Sequence, residues 1–562
     1  MFLTPARDLV AAALADALAR AAAAEGWAGA TALPIDVEVP ANPTHGDYAT
    51  SIAMRLAKTL RKSPRDIATA IVQKVEPREP IASAEVAGGG FVNVRLDEAW
   101  LRLQVDEIMK AGDSYGRSER LKGKKIQVEF VSANPTGPLT VGNARGGPLG
   151  DVLANVLAFA GADVQREYYV EDSTMQVTRF GISLAVRYRQ LFGEDIGLPS
   201  DGYQGDYVKD IAAQIKERHG ARYRDLSLDE QGKAFVPMAI DWMVADAQRV
   251  TGKLGIHFDT WFKQSSFIES GYLDKTIEEL RKRGVIVERD GVVFFETPAA
   301  VALRREGDEG WVLKDAAGEA KYLATDIAYH RLCLEERGFD LKLDVWGANT
   351  QYHVAQMKMA LPVLGVDPMR FEVVLYQYVR FLQDGVLQRM GRRTGQFLLL
   401  EDVIDAVGPD VTRFFLLQRG ADSALDFDFE LAVQQSSDNP AYYVQYAHAR
   451  IASIFRTAAE RGITVDGADV SLLRAPAERD LIRLAQKLPE LLTEIQGHRG
   501  VHLLAVYALE LAGAFHSFYR DHRVVDQGDV PLSKARLRLV QAIGVTLRQT
   551  LRLIGVSAPE SM

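Results

Sequence analysis

The sequence predicts a multidomain α/β protein: an N-terminal α+β domain, then a parallel-sheet domain, then a C-terminal all-α helical bundle. Three observations predict it. At 562 residues the chain is several times the usual ~100–200 residues of a single domain. From Lys125 to about Asp428, apolar strand-like runs alternate with helical patterns, as a parallel sheet with helical crossovers requires. From Phe429 onward strand signals stop, and Leu481–Ile495 and Leu503–Tyr519 carry apolar residues at helical spacing. With 47% hydrophobic and 25% charged residues, the chain can bury sizeable cores.

The first domain is expected over residues 1–112. Its Ala-rich start reads as an amphipathic helix, with Leu9, Val10, Leu14 and Leu18 near one face. Arg7, Asp8, Asp16 and Arg20 interrupt that stretch, which argues against a secretory or transit signal. A strand is expected near Ile35–Val39, then a turn through Asn42–Asp47, a helix, a Gly88-Gly89-Gly90 turn and the alternating strand Phe91–Leu96. The polar segment Gly112–Lys125 predicts a boundary. The second domain spans 120–428, with a more charged insertion at about 187–291, and the helical domain spans 429–562. No run of about 18 apolar residues occurs, so no transmembrane helix is expected. The single cysteine, Cys333, excludes internal disulfides and a multi-cysteine zinc site; a reducing, cytoplasmic setting is expected. No His, Asp and Glu cluster has metal-site spacing, so no protein-held metal is expected.

The net charge of -9 would argue against nucleic acid if it were spread evenly. It is not. From Leu472 onward twelve basic residues stand against nine acidic ones, a local +3. RNA affinity depends on where phosphates meet cations, so an acidic whole does not exclude it.

The most informative stretch is the β-rich Lys125–Val131 followed by Ser132-Ala133-Asn134-Pro135-Thr136-Gly137-Pro138-Leu139-Thr140-Val141-Gly142-Asn143-Ala144-Arg145-Gly146-Gly147. Its prolines forbid helix within the loop. Leu149, Val152, Leu153, Val156 and Leu157 then follow the helical i, i+3, i+4 rule. A strand, a loop and a helix N-terminus in a parallel sheet form an anion site, because orphan amides and the positive helix end face the loop. Gly142 would let a nucleotide approach the backbone closely. Taken alone, such a loop is more often a plain connection.

Glu129-Phe130, then Ser132 to Leu139, then x-Val-Gly-x-x-Arg-Gly, resembles the adenylate-forming signature of arginyl-tRNA synthetases, a class I aminoacyl-tRNA synthetase family. That signature normally carries two histidines, where this sequence has Thr140 and Asn143. Both still offer hydrogen bonds to phosphate or ribose oxygens, but neither can carry positive charge. A second segment, Gln388-Arg389-Met390-Gly391-Arg392-Arg393-Thr394-Gly395, is similar to the family's Lys-Met-Ser-Lys-Arg-Thr-Gly loop. Charge is kept at both lysine positions by Arg389 and Arg392. Cations on a glycine-flanked loop can neutralise a leaving pyrophosphate. The resemblance implies a Rossmann-like catalytic domain in which Pro138, Thr140, Gly142, Asn143, Arg389, Met390 and Arg392 handle ATP. Of these, Thr140, Gly142, Asn143, Arg389 and Arg392 carry catalysis, and Mg²⁺ arrives with ATP.

Arginine presents five guanidinium donors, so its pocket needs carboxylates and planar acceptors. Tyr322-Leu323-Ala324-Thr325-Asp326-Ile327-Ala328 resembles the family's Tyr-x-x-x-Asp-Ile-Ala segment, in which the tyrosine and aspartate contact the substrate side chain. The stretch reads as a strand end entering a helix from about Thr325. By the same resemblance Glu129, Ser132 and Asn134 surround the substrate, and Gln351, with His353 as the weaker candidate, lies on a segment that helps to hold substrate and adenosine. Asp438–Arg450 resembles the start of the family's anticodon-binding bundle. Tyr446 and the C-terminus at Met562 are the expected tRNA contacts, since loop bases stack on aromatic and guanidinium faces. The implied function is ATP-dependent activation of L-arginine and its transfer to the terminal ribose of tRNA(Arg), by a monomer without a membrane partner, with activation dependent on bound tRNA. The missing histidines leave a second class of reading: a tRNA-binding paralogue that no longer catalyses. A third, a nucleotidyltransferase sharing only the strand-loop-helix site, would not need the helical tail.

Overall fold

The computed structural model describes residues 4–304, 310–383, 386–388 and 399–562. A five-stranded sheet forms its centre, built from β1 (Lys125–Phe130), β2 (Asp163–Val170), β3 (Thr260–Lys263), β4 (Leu341–Gly347) and β5 (Phe371–Tyr376). The order is β5-β4-β1-β2-β3, with every pair parallel. The sheet therefore winds outward from β1 in one direction and then, from β4, in the other. The crevice outside the carboxyl ends of β1 and β4 is the position where such sheets bind ligands. The stretch 187–291, expected as an insertion, is only partly one. Its helices Asp206–His219 and Leu228–Lys253 leave the sheet, but Thr260–Lys263 returns to it as β3. A four-residue strand is too short for its alternation to be read from sequence.

Helix α1 (Gly146–Phe159) returns the chain from β1 to β2 and is buried along most of its length. It packs very closely on β1, because a Cβ at Gly150 would lie 2.2 Å from Phe130 Cγ. Gly150→Ala is therefore expected to overpack the helix against the sheet and cost about 1–3 kcal/mol. A denaturation midpoint equal to wild type would contradict this.

The N-terminal segment forms a three-stranded antiparallel sheet of Tyr48–Thr50, Phe91–Leu96 and Ile81–Ala87, with helices including Ala6–Glu25 and Glu98–Ala111. The strand expected at Ile35–Val39 shrinks to one bridge, Glu38 to Ala49. Pro34 and Pro40 flank this short piece, leaving little room for a ladder. From Phe429 onward the chain is helical, with α2 (Pro440–Glu460), α3 (His502–Asp521) and α4 (Val530–Ile554). The expected helix across Leu481–Ile495 is instead two, Pro476–Gln486 and Leu488–His498. Pro489 in the first turn of the second cannot continue a helix from before it.

The C-terminal bundle is tied to both other parts. Arg483 pairs with Asp47 at 2.7 Å and Arg538 with Asp106 at 2.9 Å, joining it to the N-terminal segment. Arg413, buried, donates to Asp151 on α1 at 2.6 Å, to Leu254 O at 2.8 Å and to Ile554 O at 2.9 Å. Asn155 on α1 reaches Leu553 O at 3.0 Å. The end of α4 thus grips the helix whose other end faces the crevice.

Candidate active site

The sheet register creates a buried charged layer beneath the crevice. Parallel pairing sets Asp344 of β4 beside Glu129 of β1, and Glu129 beside Glu167 of β2. All three acids are buried, as is Lys342, two residues before Asp344 and so on the same face of its strand. Burying a charge is costly unless it is paired, and each of these is. Lys342 Nζ reaches Glu129 at 2.7 Å and Asp344 at 2.8 Å. Glu167 is held by Arg337 and by the Tyr329 hydroxyl at 2.5 Å. His330 Nε2 lies 2.7 Å from Asp344. Although burial opposes its ionised form, Lys342 and His330 hold the Asp344 carboxyl below the usual range. For Glu129, burial wins over Lys342 and pushes its carboxyl up.

Tyr329 and His330 belong to the helix Tyr322–Arg331, so this layer fixes that helix over the sheet. The same helix carries Asp326 to the crevice. Asp326 Oδ2 lies 2.6 Å from His353 Nε2, on the helix Gln351–Val363. Burial would lower the imidazole's proton affinity, but the bond to Asp326 outweighs it and His353 is raised, favouring the imidazolium. Tyr322, 46% exposed, opens the helix directly, so the strand end expected before Thr325 is absent. The N-terminal helical turn aims it at the rim of the crevice, against Glu171 and Asp326.

The loop after β1 begins with two left-handed residues, Val131 at φ 67° and Ser132 at φ 37°. Non-glycine residues hold that conformation at a cost of about 1–3 kcal/mol each, and only where their surroundings demand it. Here the turn points the Ser132 hydroxyl at Glu129 Oε1, 3.1 Å away, while it accepts from the Tyr169 amide at 3.0 Å. Asn134 donates to Gln176 at 2.8 Å. Further along, Thr140 precedes the short helix Val141–Ala144 and donates to Asn143 Oδ1 at 2.9 Å. Gly142 is exposed, and a Cβ there would meet only the Thr140 hydroxyl at 3.5 Å. The fold does not require glycine at this position, whereas a ligand lying on the backbone would.

Glu129, Ser132, Asn134, Tyr322 and Asp326 thus gather at the carboxyl ends of β1 and its neighbours, with Pro138, Thr140, Gly142 and Asn143 along the adjoining loop. Gln351 is exposed at the first turn of its helix and makes no part of the buried layer. Arg389, Met390 and Arg392 lie outside the described residues. Just beyond them, Leu399 bridges Thr140 and Leu400 donates to Leu139 O at 3.0 Å, so the residues that follow the second segment lie beside the first. On the bundle, Tyr446 is 39% exposed, with the Arg450 guanidinium 4.5 Å from its ring centre and 5.5 Å from that of Tyr519. Met562 is also exposed.

Four residues that sequence reading did not single out shape the site. Lys342 and Asp344 stood as charges within the apolar run Leu341–Val345, a signal of a buried pair. Arg145 was only part of a motif. It is buried, and donates to Gln377 O at 2.9 Å, Ser423 O at 2.6 Å and Gly420 O at 2.7 Å, anchoring the signature loop to the chain around the second segment. Burial lowers its guanidinium to about 10. Glu171, just past β2, left no signal in the sequence beyond being one acid among many.

Comparisons with known proteins agree along the whole chain. Family models match for the arginyl tRNA synthetase N terminal domain over residues 7–96, the class I (R) tRNA synthetase catalytic domain over 104–413, and the DALR anticodon binding domain over 444–562. The chain is 44% identical over 534 residues to an arginine–tRNA ligase of Desulforudis audaxviator (strain MP104C), covering 94% of each. It is 43% identical over 531 residues to one of Geobacter sp. (strain M21), covering 94% of this chain and 95% of that one. Among solved structures, a putative arginyl-tRNA synthetase of Campylobacter jejuni aligns with TM-score 0.74 and 28% identity over 83% of this chain and 100% of that one.

Proposed function

The chain belongs to the arginyl-tRNA synthetase family, and from that premise we propose how its residues divide the work of joining arginine to tRNA(Arg). The reaction is ATP-dependent: the arginine carboxylate attacks the α-phosphorus, giving arginyl-adenylate and pyrophosphate, and a terminal ribose hydroxyl of the tRNA then takes the arginyl group, releasing AMP. The observation that carries the assignment of roles is the set of acids, Glu129, Glu171 and Asp326, that converges on a crevice adjoining the Thr140–Asn143 turn.

Tyr322, Asp326, Glu129, Ser132 and Asn134 receive arginine, and Gln351 borders it. Pro138, Thr140, Gly142 and Asn143 receive ATP, with the open backbone at Gly142 as the approach. Thr140 and Asn143 supply neutral hydrogen bonds, so the positive charge for the departing pyrophosphate falls to Arg389 and Arg392, beside Met390. An arginine forks onto phosphate oxygens and keeps its charge throughout. Catalysis is then positioning and electrostatics, with no covalent enzyme intermediate. Mg²⁺ enters as the counter-ion of ATP. Among the described residues no group of three His, Cys, Asp or Glu is placed to hold a metal ion. Tyr446, stacked with Arg450, and the terminus at Met562 meet the tRNA. The contacts from α4 through Arg413 and Asp151 to α1 offer a route by which bound tRNA reaches the site.

We divide the chain at 1–112, 120–428 and 429–562, and assign it to the cytoplasm as a monomer. Among the described residues no helix is long and apolar enough to cross a membrane. ATP–pyrophosphate exchange tests the roles. Arginine-dependent exchange is expected, stronger with tRNA(Arg) than without; no exchange under either condition, with tRNA still bound, would leave only the binding-protein reading.

A further inference from the structure

The acids around the crevice differ in one respect that decides how a cation is received. Glu129 and Asp344 share Lys342, Asp344 also has His330, Glu167 has Arg337, and Asp326 has His353. Glu171 has no hydrogen bond or ion pair with any described residue. It follows the last residue of β2 and faces Glu129 from β1, Asp326 and Tyr322 from the helix Tyr322–Arg331, His353 from the helix Gln351–Val363, and Tyr168 and Tyr169 from its own strand. Two further groups there lack partners. The Tyr169 hydroxyl and Gln264 Oε1, on residues 4% and 2% exposed, stand next to each other without a hydrogen bond of good geometry. Buried polar atoms are seldom left unpaired unless a ligand or water completes them.

We infer that Glu171 supplies the charge that neutralises the guanidinium of the substrate, at a subsite bounded by the ends of β1, β2 and β3 and the helix Tyr322–Arg331. This rests on the reading that the arginine side chain enters this crevice. Each of the other carboxylates named above already has a basic partner, Lys342, His330, Arg337 or His353, so a guanidinium entering beside them would compete with that partner. Of the acids named above, Glu171 is the one without a counter-ion among the described residues. In the empty pocket, burial first and then Asp326 and Glu129 push its carboxyl up to about 8, so near neutral pH it holds a proton. A guanidinium alongside favours the carboxylate, so the proton leaves as arginine binds. The sign follows: arginine binds best above pH 8 and loses about tenfold in affinity per pH unit below it. His353 also faces this group and can titrate, so the experiment must separate the two.

Calorimetric titration of the full chain with arginine, tRNA(Arg) present, in two pH 7 buffers of different ionisation enthalpy, counts protons released. The expected result for wild type is release of about 0.9 proton per arginine, given a carboxyl near 8. In Glu171→Gln, which keeps the shape, the release should vanish. At pH 8.5 its KM for arginine should rise tenfold or more, with kcat within about threefold of wild type. No release from wild type, release persisting in Glu171→Gln, or an unchanged arginine KM in that variant would each overturn the assignment; persistence would transfer it to His353. Should the variant fail to fold, the wild-type proton count and the pH profile of its arginine KM decide, and a flat profile overturns the assignment. Failure of the underlying reading looks different: wild type would then neither bind nor transfer arginine.

Discussion

Replacing Lys342 by methionine is expected to destabilise the protein by about 3–5 kcal/mol, because it removes the one cation shared by two buried carboxylates. Methionine fills much of the same volume, so the loss reports charge and not a cavity. Glu129 and Asp344 would face each other across adjacent strands without Lys342, and Glu167 lies beside them in register. Raised carboxyl groups bind protons more tightly in the folded state, so the stability of the variant should fall as pH rises and recover as it is lowered toward about 5. Adding Glu129→Gln to Lys342→Met should restore part of the loss, since the acid left unpaired is then neutral. Denaturant midpoints for the two variants check this. A Lys342→Met protein as stable as wild type would show that the layer is not held by this ion.

The second large effect is expected at Asp326, in function. Asp326→Asn keeps the shape, removes a charge facing the crevice, and takes from His353 the partner that raises it. Truncating one member of a desolvated polar pair costs about 2–4 kcal/mol, which is a loss of roughly 30- to 1,000-fold in kcat/KM for arginine. An interaction made equally with substrate and transition state raises KM, whereas one made only in the transition state lowers kcat. The pocket position of Asp326 predicts the first, with the KM for ATP changed by less than about threefold. Steady-state arginylation with each substrate varied in turn measures both; near wild-type kinetics would remove Asp326 from the pocket.

The two effects differ in how far the sequence anticipated them. Asp326 was legible because Tyr322 to Ala328 resembles a segment of the family, and spacing within one helix survives folding. Lys342 was visible only as a charge among apolar residues. Its partners lie 213 residues before it and two after it, and no local pattern specifies that pairing. Glu171 had no legible signal at all. Its significance is that Glu129, Asp344, Glu167 and Asp326 each have a basic partner and Glu171 has none among the described residues, which is a statement about several elements at once. The short strand Thr260–Lys263 was missed for a related reason: four residues cannot display a period, and it is a strand because β2 pairs with it.

The sequence by itself determined the order of the three architectures and the junction of β1, loop and α1. These depend on periodicity, prolines, glycines and short-range spacing, which act over a few residues. Only the tertiary structure decided which acids have a basic partner and which has none among the described residues. That is set by strand register and by helices laid across it, because electrostatic interaction depends on separation in space and on burial, neither of which separation along the chain records.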